Sequence, residues 1–291
     1  MSIHLRTLAL GAALALSIGC GPKQGGTYDV GAASGSANAA EALIAEADAL
    51  WERRSDKAAL QEALQKYEQA YTADPRNRYV AKRLTRGYYF LADAHVPIKE
   101  RKLATYDTAI NWGKRCMAIN DEFKAKIDAG EKEETAVAAS SVEDVSCIYW
   151  TASALGKWAK GYGIAKALKH KDTIVAYITR VGELKPEFFH GAADRYWGAY
   201  YSVLPSFAGQ DLPKSRQHFE KSIRTAPDYL GTKVLMAENY AVKSQDRQLF
   251  DKLIADVLAA DPNSVPELAP ENKSEQAKAE ALKAKADELF R

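Results

Sequence analysis

The chain has 291 residues, with 40 Lys and Arg against 38 Asp and Glu and a formal net charge of +2. So even a balance argues against nucleic acid as the main partner, which would call for a strongly basic surface. The length leaves room for one large domain or an array of repeats behind a targeting segment.

The N-terminus indicates a compartment. His4 and Arg6 open a short polar region, and residues 8–18 form an apolar run without charge. The run is well short of the roughly 20 residues that span a bilayer, so residues 1–19 are expected to be an export signal. It ends in Leu16-Ser17-Ile18-Gly19-Cys20, which resembles the bacterial lipobox, in which the cysteine is lipidated and becomes the new N-terminus. Gly19 and Cys20 fit that pattern, while Ser17 stands where Leu is usual. Acyl chains on Cys20 would hold the protein at a membrane. Gly21 gives no inner-membrane retention cue, so a periplasmic protein on the outer membrane is expected in preference to the inner. Residues 20–40 are rich in Gly, Ser and Ala, too poor in apolar surface to fold, and are expected to be a flexible tether.

From 41 to 291 the pattern is helix after helix. Leu43, Ala47, Leu50 and Trp51 recur at helical spacing, followed by a stripe through Leu60, Leu64, Tyr67 and Tyr71 and another through Val80, Leu84, Tyr88 and Leu91. Leu103, Tyr106, Ile110 and Met117 make a fourth stripe, Ile148, Ala152, Leu155 and Ala159 a fifth, and Ile174, Ile178 and Val181 a sixth. More follow near 188–203, 214–224, 229–241, 247–259 and 274–290. No stretch alternates with period two, so the fold is expected to be all-α, with about ten or eleven antiparallel helices. Asp74-Pro75, Lys185-Pro186, Ala226-Pro227 and Asp261-Pro262 each end a helical stripe, because proline cannot continue a helix interior. The charged stretch 128–134 reads as an exposed loop.

These breaks suggest a degenerate tetratricopeptide-like repeat array. Counting back from Pro75 puts Ala63, Tyr67 and Ala70 on that repeat's small, aromatic and small positions. Pro227 puts Ser215, Phe219 and Ser222 there, and Asp121 puts Ala109, Gly113 and Cys116 there. Small residues let paired helices approach, and neighbouring pairs then share a core.

No catalytic constellation stands out. His4, His95, His170, His190 and His218 show no metal-protease spacing. Asp93 and His95 read as a polar helix end before Val96-Pro97 and not as metal ligands, so no metal or cofactor is expected. Gly161-Tyr162-Gly163 follows a helix with no strand before it, which makes it a helix stop. Cys116 and Cys147 are either a disulfide or two separate buried thiols; sequence supplies no geometry to decide. Aromatic residues cluster unusually, and Tyr149, Trp150, Trp158, Tyr196, Trp197 and Tyr200 are candidates for a ligand or partner cleft, since Tyr and Trp join large apolar area to a polar handle.

An ordered series in the second half carries a family likeness. Tyr149-Trp150 and Gly156-Lys157-Trp158 are followed by Phe207-Ala208-Gly209-Gln210-Asp211-Leu212 and by His218-Phe219-Glu220-Lys221-Ser222-Ile223. Ala226-Pro227-Asp228-Tyr229-Leu230, Pro270-Glu271-Asn272 and Asp287-Glu288-Leu289-Phe290 complete it. The chain resembles the TatT family, the T component of tripartite ATP-independent periplasmic (TRAP) transporters, from about residue 45 to the C-terminus. The resemblance implies a helical periplasmic lipoprotein that partners a solute-binding protein, with an apolar cleft or pore, assembly into homo-oligomers and no enzymatic role. An apolar small molecule is the ligand it points to, and it assigns no site residues. The alternative is a general scaffold lipoprotein of envelope assembly that holds peptides or proteins. Cys20→Ser is expected to release the protein from membranes without unfolding it; membrane retention of that variant on fractionation would remove the anchor.

Overall fold

The computed structural model describes residues 28–33, 35 and 37–290. The expected export signal and Cys20 lie outside these residues. No strand occurs among them, and the fold is all-α.

Capping side chains set where many of the helices begin. After α1 (Ala37–Trp51), the Asp56 carboxylate accepts from the Ala59 N–H and starts α2 (Lys57–Ala73). Asn77 does the same for α3 (Arg78–Phe90). Each such cap satisfies an amide that the first helical turn leaves without a partner. The chain of α3 runs on into a π turn, Leu91–His95, before Pro97 stops it. Next come α4 (Lys99–Met117), α5 (Asp121–Asp128), α6 (Glu133–Ala136) and α7 (Val145–Tyr162), the last ended by Gly163 at φ 114°. Then follow α8 (Ile164–Lys169), α9 (Lys171–Leu184), α10 (Phe188–Val203) and α11 (Leu212–Thr225), the last capped by Asp211. A continuous helical run joins α12 (Leu230–Leu235), a π turn (Met236–Ala241) and α13 (Val242–Ser244). Asp246 caps α14 (Arg247–Ala259), and α15 (Ala269–Lys283) and α16 (Ala286–Leu289) end the described chain.

Successive helices pair. α1 lies on α2, α3 on α4 and α10 on α11, while α4, α3 and α9 all pack on α7. Small residues permit the closest of these crossings. A Cβ on Gly113 of α4 would collide with Thr151 of α7 and press on Thr85 of α3. Ala63, Tyr67, Ala70, Ala109, Cys116, Ser215, Phe219 and Ser222 are all fully buried. Two apolar cores result, one built from α1 to α10 and one from α11 onward. Cys116 on α4 and Cys147 on α7 are joined in a disulfide, their Cα atoms 5.6 Å apart.

Two expectations differ from what is seen. The stretch 20–40 is not a free tether throughout, because Tyr28 is buried at 2% exposure with its ring 5.8 Å from that of Phe123. The Tyr71 hydroxyl donates to the Val30 carbonyl, so this segment follows the body before α1 begins. One large ring in a small-residue stretch is enough to seat it. The charged stretch 128–134 is likewise not all solvent loop. Glu133 accepts from Lys114 Nζ at 2.6 Å and from the Tyr177 hydroxyl at 2.9 Å. Burial raises the Glu133 carboxyl, and Lys114 more than offsets this, holding it below the usual carboxylate range.

The disulfide closes a sequence separation of 31 residues. Cys116→Ser with Cys147→Ser is expected to lower the unfolding free energy by about 2–4 kcal/mol, read from urea denaturation; an unchanged midpoint would mean that the bridge adds nothing to stability.

Candidate functional site

A cavity of about 310 Å³ opens between α7, α8, α10 and the π turn at 236–241. Tyr149, Ser153, Gly156 and Lys160 recur at three- and four-residue steps and line it from one face of α7. α10 contributes Arg195, Tyr196, Ala199, Tyr200 and Val203. Gly156 lets the two walls close, since a Cβ there would come within 2.5 Å of the Tyr196 hydroxyl oxygen. Behind this chamber lies a second of about 60 Å³. Six residues border both: Tyr89, Tyr149, Lys157, Arg195, Leu235 and Glu238. At the outer end Ile164 and Val203 line the mouth while being 50% and 43% exposed.

The candidate aromatics divide between these places. Tyr149, Tyr196 and Tyr200 line the large chamber, and Tyr149 with Trp150 lines the inner one. Trp158 and Trp197 line neither. At 100° per residue, Trp158 points away from the face that carries Ser153 and Gly156. Its ring packs instead on Tyr162 and His170, with Lys166 Nζ 4.9 Å above it. Trp197 packs on Tyr200 and Tyr201.

The inner chamber holds ions that the sequence pattern did not single out. Asp93, in the π turn after α3, is paired with Lys157 of α7 at 3.2 Å and with Lys278 of α15, and the Tyr106 hydroxyl donates to it at 2.8 Å. Burial raises its carboxyl, but the two ammonium groups prevail and hold it far below the usual range. Glu271 of α15 binds Arg54 at 2.8 Å and Arg86 at 2.7 Å. Burial raises Glu271 too, and the two guanidinium groups bring it below its ordinary value. Asp93 had read as a plain helix end beside His95, which instead contacts the Arg54 carbonyl at 2.9 Å through Nε2.

The start of α10 is unusual. Phe189, His190 and Gly191 take left-handed dihedrals, with φ of 39°, 61° and 69°. A left-handed turn costs roughly 1–2 kcal/mol for each residue carrying a Cβ. Two carbonyls of this turn, those of Phe189 and His190, accept from Arg195 at 3.2 and 3.0 Å. The Arg195 guanidinium also donates to the Tyr149 hydroxyl at 3.0 Å and lies 4.5 Å from the centre of the Tyr229 ring. One side chain thereby ties the strained turn, α7 and the cavity wall together.

The arrangement is a partly open, apolar-walled compartment with an ionic floor. No group of three or more metal-ligating side chains occurs among the described residues. Asp93 and Glu271 are both depressed in the folded state, so their stabilisation is present above the unfolded carboxylate range near pH 4 and is lost as pH falls through the lower folded values. Unfolding free energy is therefore expected to be flat from pH 7 to about 5 and to fall below pH 4. Asp93→Asn should cost about 3 kcal/mol at pH 7, by stranding Lys157 and leaving Lys278 with Glu275 alone, and should flatten the acid limb. Urea unfolding of both proteins at pH 7 and pH 3 checks this, and parallel acid limbs would remove Asp93 from the account.

No helix among the described residues is long and apolar enough to cross a membrane. A search of curated proteins finds no match to the chain. The sequence model of the TRAP transporter T-component family (TAtT) matches residues 56–290, which include every helix from α2 onward and both chambers. The chain belongs to the TRAP transporter T-component family, and its work is that of an accessory part of TRAP transport in the cell envelope.

Proposed function

We propose that this protein is a periplasmic lipoprotein that serves TRAP-type uptake by docking the solute-binding protein and offering the solute an apolar compartment. The observation that carries the reading is the 310 Å³ chamber within the family-matched region. Its volume falls at the lower end of the roughly 300–1,000 Å³ typical of small-molecule sites. The lipid would sit on Cys20, with the outer membrane favoured over the inner. With Tyr28 seated in the body, the chain between the two positions can reach at most about 28 Å, which keeps the folded body near the membrane surface. The stacked helix pairs are read as a degenerate tetratricopeptide-like array, a design that commonly presents one face to a partner. Homo-oligomers fit the same reading.

The docking surface is placed at the chamber mouth. Among the large apolar side chains exposed in the described chain are Tyr162 (61%), Ile164 (50%), Val203 (43%) and Phe207 (81%). Ile164 and Val203 line the chamber itself, and Phe207 follows Leu204, which does so too, by three residues. Such a patch beside an opening is what a partner that hands over a solute would cover. Affinity capture from envelope extracts should recover a TRAP solute-binding protein. Phe207→Asp with Ile164→Asp should reduce that recovery at least tenfold without lowering the thermal midpoint. Failure of the unaltered protein to capture any solute-binding protein would end the docking proposal; capture of envelope-assembly proteins in its place would favour a scaffold.

A further inference from the structure

One wall of the large chamber is held far more lightly than the others. α7, α10 and the π turn at 236–241 each carry several buried side chains, whereas α8 carries none. It rests chiefly on the two helices it joins, α7 and α9. Among the described residues its two lysines, Lys166 and Lys169, form no ion pair and no hydrogen bond. A segment with so little buried surface and so few ties opens at low cost compared with the packed helices around it.

Both ends of α8 break the helix. Gly163 joins it to α7 at φ 114° and ψ 175°, a region that residues with a Cβ essentially do not enter. A Cβ built there would meet nothing within 4 Å, so the backbone dihedral and not crowding calls for glycine. At the other end His170 closes α8 and opens α9 with φ −101° and ψ 6° and no side-chain cap.

The two sides of α8 meet different surroundings. At 100° per residue, Ile164, Ala167 and Lys171 fall on one side of the segment, and Lys166 and His170 fall on the opposite side. The first three line the chamber. The other two lie against the Trp158 ring, with Lys166 Nζ 4.9 Å from its centre and the His170 ring edge-on at 5.7 Å. Trp158 is half-buried and borders neither chamber. Its ring instead spans the outer side of α8, and such contacts are individually weak.

We propose that α8 is a hinged lid on the chamber, turning about Gly163 and His170, with Trp158 as the latch that keeps it shut. Swinging the lid carries Ile164 away from Val203 and widens the mouth for an apolar solute. Tyr162 and Ile164 flank the Gly163 hinge and are 61% and 50% exposed, so a protein docked at the mouth would touch the moving element. The inference rests on the chamber being the solute compartment, and it adds how that compartment opens.

The test uses the full chain carrying Cys20→Ser. Stopped-flow fluorescence follows entry and exit of the neutral apolar dye N-phenyl-1-naphthylamine, and mass spectrometry follows amide hydrogen exchange. Trp158→Leu should speed dye entry and exit together, each about tenfold, and leave Kd within about twofold. A latch that closes on the empty and the filled chamber alike changes rates and not affinity. Exchange at residues 164–170 should rise by a similar factor, with α9 and the first turns of α7 unchanged. Lys166→Gln leaves the Trp158 ring in place and should give the same pattern at about threefold, which guards against a folding defect in the tryptophan variant. Dye that binds with unaltered rates in both variants would overturn the lid. So would exchange at 164–170 as slow as in the packed turns of α7 and α9, or a Trp158→Leu effect spread over all three helices. No dye binding to the unaltered protein would overturn the compartment itself, and the lid with it.

Discussion

Two largely buried carboxylates, Asp93 and Glu271, tie the last long helix to the first half of the chain. Glu271 of α15 takes Arg54, in the turn after α1, and Arg86 of α3, while Asp93 takes Lys278 of α15 and Lys157 of α7, across sequence separations of up to 217 residues. Neither pairing is a surface ion pair of small worth. The Arg54 and Glu271 side chains are 4% and 7% exposed, and Asp93 is 11% exposed. Charges so placed gain little in net stability over apolar packing, yet removing one partner strands the other. They add long-range ties to those that already join the two apolar cores, where Ser215 and Ser222 of α11 donate to the Gly198 and Gly191 carbonyls of α10. The chamber lies between those cores, walled by α7 and α10 on one side and the π turn at 236–241 on the other.

The strained start of α10 belongs to the same framework. Left-handed dihedrals at Phe189 and His190 persist only where the surroundings over-determine them. Phe189 is held by Trp150, with ring centres 4.7 Å apart, and by Arg86, 4.7 Å from its centre. The His190 ring stacks on Tyr229 at 5.4 Å. Gly191 sits against Ser222 of α11, where a Cβ would be tight at 3.2 Å in a backbone that already disfavours one. The turn points two carbonyls at Arg195 and so aims its guanidinium at the chamber. Strain in the backbone is balanced by ring packing and by hydrogen bonds to a cation, and all of these meet at the boundary of the two chambers.

How far this was legible in the sequence depends on how local each cause is. Asp56, Asn77, Asp211 and Asp246 cap helices through amides two or three residues away, and Pro75, Pro186 and Pro227 stop them. The small residues at 63, 70, 109 and 113 follow from helix spacing as well, so the all-α class came through. Helical spacing also decides where the candidate aromatics stand: Tyr149, Tyr196 and Tyr200 border the chamber, while Trp158 and Trp197 sit where the helical angle turns them elsewhere. Asp93 was lost because its partners lie 64 and 185 residues away. Arg195 was lost inside an aromatic stripe, where a charge reads as a solvated interruption, and nothing in Phe189-His190 announces a left-handed turn. Tyr28 was lost because composition speaks for a segment and not for its one ring.

The ionic floor also bears on whether the chamber is a passage or a pocket. The inner void, at about 60 Å³, is small beside the outer chamber of about 310 Å³. A solute that fills the outer 310 Å³ cannot continue inward without parting Asp93 from Lys157 and Lys278 or Glu271 from Arg86. Drawing any of these apart in a site this buried leaves a desolvated charge, a penalty of several kcal/mol, and an apolar solute brings nothing to replace the lost partner. Under the proposed function, solute would therefore enter and leave by the mouth between Ile164 and Val203, and a docked protein covering that mouth would control both steps.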